Sequence, residues 1–171
     1  MRRHVMLGGV TLAAAMALSN CTDKVGIQVS ERFAATLSGA NERPTAVTTT
    51  ATGTASFTYL SDIGSIFYRL DVAGIDSAFA AHIHAPADTG TNAGVVINLF
   101  TGPTTKQGFT GTLAQGVLGE LGAPAGMTMD SLLVLLRNGN AYVNVHTRGP
   151  TGANGSGGHL GGEVRGQVVR Q

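Results

Sequence analysis

Short runs with an apolar residue at every second position, each stopped by glycine or a polar turn, constrain this chain most. In 52–60, Ala55, Phe57 and Tyr59 recur at period two, and in 65–72 Ile66, Tyr68, Leu70 and Val72 do the same. That period suits a strand with one face in a core, whereas a helix needs apolar residues three and four apart. Ser61-Asp62-Ile63-Gly64 between the two runs predicts a hairpin turn and an antiparallel pair. Further strands are expected at 33–37, stopped by Ser38-Gly39-Ala40-Asn41, and at 79–85, 94–100, 109–113, 141–147 and 162–169. One helix is expected over 128–137: Thr128 or Asp130 caps it, leucines fill it and Asn138-Gly139 ends it. The 25 glycines in 171 residues, about twice the ~7% norm, supply the stops. The expected fold class is all-β: a Greek-key antiparallel β-sandwich of about seven or eight strands with one short helix.

Charge excludes several function classes. Only 12% of residues are charged, and 11 Lys+Arg against 10 Asp+Glu leave a net charge of +1. No nucleic-acid partner is expected, because nothing here builds a basic surface. A single cysteine excludes an intrachain disulfide framework and any multi-cysteine zinc site. Its position is informative. Met1-Arg2-Arg3-His4 is a basic start followed by an uncharged, mostly apolar run over 5–18, too short to span a ~30 Å hydrocarbon core. Residues 1–20 therefore read as a signal peptide, 21–30 as a tether and 31–171 as one domain. Leu18-Ser19-Asn20-Cys21 resembles the lipobox of bacterial lipoproteins, with Cys21 as the lipid-attachment residue. Asn20 departs from the small residue that box prefers, and Ala15-Met16-Ala17 is a competing cleavage site that would release a soluble periplasmic or secreted protein.

Four segments together resemble the CHRD domain, named after chordin and present in many bacterial secreted proteins. They are Leu37-Ser38-Gly39-Ala40-Asn41-Glu42-Arg43-Pro44, Ala81-His82-Ile83-His84-Ala85-Pro86-Ala87, Tyr142-Val143-Asn144-Val145-His146-Thr147 and Gly162-Glu163-Val164-Arg165-Gly166-Gln167. Arg43 stands where an apolar residue is more usual, and the Gly-rich stretch 148–161 is longer than the family's short link. The resemblance implies an extracytoplasmic β-rich module and brings no defined reaction.

The histidines carry the chemistry. On a strand His82 and His84 share a face with Cα atoms ~6.6 Å apart, and His146 lies on another predicted strand with Asn144 on its face. If those strands are neighbours, His82, His84 and His146 form a three-imidazole site suited to copper or zinc, with metal–nitrogen distances of ~2.0–2.1 Å. The alternative is a polar face satisfied by Asn144 and backbone groups. His159 sits among glycines and supplies a fourth ligand only if its loop folds back. The His-x-His on a strand looks like the copper side of Cu/Zn superoxide dismutase, but that enzyme's cysteines and zinc loop have no counterpart here. Glu42, Glu163 and Arg165 form either a binding patch or, as expected, structural ion pairs and turn-fixing hydrogen bonds. No nucleophile elbow, phosphate loop, zinc-protease helix or calcium loop is present. The expected function is an exported, lipid-anchored binding or structural module of the cell envelope, held to the membrane by its lipid and meeting an envelope or extracellular protein partner. The alternative is a copper or zinc protein using the three histidines, with dismutase-like redox chemistry as its furthest extension.

Overall fold

The computed structural model describes residues 30–118, 127–149 and 157–171. The expected signal peptide, most of the expected tether and Cys21, the expected lipid-attachment residue, lie outside the described residues.

Alternation drives the first half of the chain into long strands. Strand β1 (Ser30–Ser38) buries Phe33, Ala35 and Leu37, β2 (Thr52–Leu60) buries Ala55 and Phe57, and β3 (Ser65–Ile75) buries Ile66, Leu70 and Val72. The predicted 61–64 turn joins β2 and β3 as an antiparallel pair. Then follow β4 (Ala78–His84), β5 (Val95–Thr101), β6 (Phe109–Val117), the helix α1 (Met129–Arg137), β7 (Tyr142–Thr147), β8 (Val164–Gln167) and β9 (Val169–Arg170). Thr128 caps α1 by accepting the Ser131 backbone N–H at 3.1 Å, and Leu132, Leu133 and Leu136 face the core.

The all-β expectation holds, with nine strands and one α-helix among the described residues, besides a single 3-10 turn at Gly39–Asn41. The predicted strand at 162–169 divides in two because Val168 turns its N–H to Ala141 O at 2.8 Å and buries its side chain. All nine strands join one hydrogen-bonded sheet, ordered β5-β4-β7-β8-β1-β2-β3-β6, with β9 beside β1. Register shifts between β3 and β6 and between β4 and β5 bend the strands. The sheet curls until its end strands β5 and β6 approach each other. Tyr68 Oη of β3 donates to Leu99 O of β5 at 2.9 Å across that seam. The result is a nearly closed, barrel-like sheet around one core.

This closure places two strands from distant parts of the sequence side by side. β4 pairs with β7, with His82 opposite Asn144, His84 opposite Tyr142 and Ala80 opposite His146. Ala81, Ile83, Val143 and Val145 point into the core. Their alternates form the outer face, and two loops cover it. No helix among the described residues is long and apolar enough to cross a membrane.

Candidate metal centre

The outer face of β4, β7 and β8 is a polar layer, buried although it lies outside the apolar core. Asn144 and Arg165 pair across β7 and β8. Both are almost fully buried, as are His84 and His146, while His82 is only partly covered. Burial without solvent favours polar groups that find a partner, and the covering loops supply most of them.

His82, His84 and His146 each offer one ring nitrogen to a cluster in which these atoms lie within 4.8 Å of one another. His146 Nδ1 lies 2.8 Å from Leu160 O, and His84 Nδ1 lies 2.9 Å from Ala93 O. A carbonyl only accepts, so both Nδ1 atoms carry hydrogen and both Nε2 atoms hold a free lone pair in the neutral ring. A backbone carbonyl on the remote nitrogen is the support that orients metal-binding imidazoles. His146 Nε2 lies 2.9 Å from His82 Nδ1, which donates to it in the neutral tautomer this arrangement selects. A tautomer shift moves that hydrogen to His82 Nε2 and leaves three nitrogen lone pairs converging. Tyr142 stacks on His84 at 4.8 Å between centroids and 3° between planes, fixing the ring's tilt.

The electrostatics favour neutral rings. Burial, then repulsion from His146 and His84, pushes His82 down to about 4. Burial also lowers His84 and His146. Imidazoles that are unprotonated at neutral pH are ready to take a cation without first losing a proton.

The other predicted polar residues brace this layer. Arg165 donates from Nη1 to Asn92 Oδ1 at 2.7 Å and from Nη2 to Asp88 O and Thr91 O at 2.9 and 2.7 Å. Its guanidinium lies 3.5 Å from the centroid of Tyr142, the ring that stacks on His84. Arg165 thus pins the 88–92 turn over the strands. Glu163 accepts Thr49 Oγ1 and Thr147 Oγ1, both at 2.7 Å, tying the 42–51 segment to β7. These are turn-fixing hydrogen bonds. No ion pair joins Arg165 to Glu42 or Glu163 among the described residues. Glu42 is buried, its Oε1 has no hydrogen-bond partner, and burial raises its pKa to about 7 against the opposing pull of Arg165. Gly162, at φ +128°, leaves room for it: a Cβ there would collide with Glu42 Oε1 and crowd Asn144 Nδ2.

His159 does not join the cluster, although its carbonyl accepts Thr147 N–H at 3.2 Å and so anchors the returning loop on β7. Residues 150–156 of that loop lie outside the described residues. From sequence, Tyr142, Gly162 and Asn92 had no assigned role, although the first two open two of the family-like segments. Tyr142 was legible in principle, two residues before Asn144 on the strand face that carries His146. Gly162 and Asn92 act through loops whose partners are remote in sequence.

The sequence profile of the CHRD domain matches residues 33–168. No curated protein and no solved structure matches the chain. The matched span takes in all three clustered histidines, Glu42, Asn144, Glu163 and Arg165. The chain belongs to the CHRD-domain family.

Proposed function

We propose that the chain is an exported, lipid-anchored CHRD module of the cell envelope that holds one copper or zinc ion on His82, His84 and His146. Its role is binding, with no defined reaction. The observation that carries the metal reading is the convergence of three ring nitrogens within 4.8 Å, two of them on imidazoles whose other nitrogen faces a backbone carbonyl. An all-imidazole set suits copper and zinc better than calcium or magnesium, which take oxygen ligands. The basic and apolar start, with Cys21 at its end, supports export and anchoring. Low charge argues against a nucleic-acid partner.

The full chain, expressed with its own N-terminus and purified without chelators, should carry stoichiometric copper or zinc. Replacing His82 and His84 together by alanine should abolish it. A folded wild-type protein that takes up neither metal from buffered solution overturns the metal reading. For the anchor, mass spectrometry of the mature N-terminus should find a lipidated Cys21, and an unmodified terminus at Leu18 overturns it.

A further inference from the structure

Asn144 presents a conflict that hydrogen bonding alone does not resolve. Its Oδ1 lies 3.0 Å from His84 Nε2, while His84 Nδ1 faces Ala93 O at 2.9 Å. A neutral imidazole has one N–H, so one of two facing oxygens is left against a bare lone pair. Doubly protonating the ring would satisfy both oxygens, but it would bury a cation whose hydrogen-bond partners, Asn144 and Ala93, are both neutral. Turning the amide round would let Nδ2 donate to His84. It would also put Oδ1 toward Gly161 O, which Nδ2 now faces at 3.4 Å. Asn144 is 3% exposed, so water offers little relief.

A cation between the two lone pairs removes the conflict. Two ligands ~2.1 Å from one ion and as far apart as these atoms subtend about 90° at it, within reach of a distorted four-coordinate site. Asn144 lies directly opposite His82 and on the same strand face as His146, so its amide borders the whole cluster.

We infer that Asn144 Oδ1 is the fourth ligand of the site, which therefore selects a divalent ion, Zn(II) or Cu(II), over Cu(I). This rests on the three-histidine reading and adds an oxygen donor to it. An amide oxygen is a hard ligand that strengthens binding of a divalent ion and contributes little to soft Cu(I), for which three imidazoles suffice. The oxygen takes the fourth position that His159 leaves unfilled.

The test uses the full chain, stripped of metal and titrated separately with Zn(II) and with Cu(I) in competition with chelators of known affinity. Wild type is compared with Asn144→Ala and Asn144→Asp, and circular dichroism of each metal-free protein checks folding. Asn144→Ala should weaken Zn(II) by about 10–100-fold and change Cu(I) affinity by less than about threefold. Asn144→Asp loses the same N–H to Gly161 O but keeps an oxygen at the ligand position, so it should hold Zn(II) more tightly than Asn144→Ala. Equal losses for both metals would mean that Asn144 only orients His84, and the inference fails while the three-histidine reading stands. Unchanged Zn(II) affinity in Asn144→Ala, or Zn(II) held no better by Asn144→Asp than by Asn144→Ala, overturns it likewise. Wild type that binds neither ion overturns both.

Discussion

Glu42 shows how far one buried carboxyl in this layer departs from solvent behaviour. With its pKa near 7 in the fold and at the ordinary 4.5 in the unfolded chain, the native state keeps a proton that the unfolded state has lost. The native state therefore binds more protons between those values, and this group's contribution to stability falls as pH rises from 4.5 to 7. Glu42→Gln removes the ionisable group with little change of shape. Its melting temperature should gain on wild type between pH 5 and pH 8, by on the order of 5 °C. A difference that stays constant with pH would show that Glu42 is not the titrating group. Gly162 is the backbone side of the same arrangement. Both its positive φ and the atoms its Cβ would meet explain why glycine precedes Glu163.

Among the elements, the alternating strands were the most legible, because a half-buried strand writes its inward face into every second residue. Strand β2 has the predicted bounds, and β3 begins where expected and runs three residues further. The helix was legible through its cap, since Thr128 accepts an N–H that the first turn leaves unpaired. Strand β7 was readable as a strand, but not as one buried on both faces. Asn144 and His146 look like a solvated face until the loops above them are known. Barrel-like closure was also invisible, since it depends on contacts such as Tyr68 to Leu99, between strands that do not follow one another. Tyr68→Phe tests that seam. It leaves Leu99 O without its donor and should lower unfolding free energy by about 1–3 kcal/mol in urea titration. An unchanged midpoint would mean that the end strands hold together without it.

For the whole molecule, the three histidines link pH to stability, and on the proposed reading they link metal to both. His82 is near 4 in the fold against 6.5 unfolded, and His84 and His146 shift the same way. The unfolded chain therefore binds more protons below about pH 6.5, so this contribution to stability is complete above that value and is lost as pH falls toward 4. A bound ion adds stability through its preference for the native state and competes with the same protons. Zinc should therefore raise the melting temperature at pH 7.5, and the increment should disappear by about pH 4 to 5. A zinc-induced increment that persists unchanged at pH 4 would place the ion elsewhere.

By itself, the sequence determined the all-β class, the positions of most strands, the capped helix, the family and the pairing of His82 with His84 on one strand face. These depend on local periodicity, turn chemistry and short motifs, which operate within a few residues. Only the tertiary structure decided that β7 lies against β4, that Leu160 and Ala93 hold two of the imidazoles, and that Asn144 faces His84. Each of these joins groups that the chain separates by an intervening turn, loop or several strands. Which strands become neighbours follows from burying the core as a whole, a condition no single segment expresses.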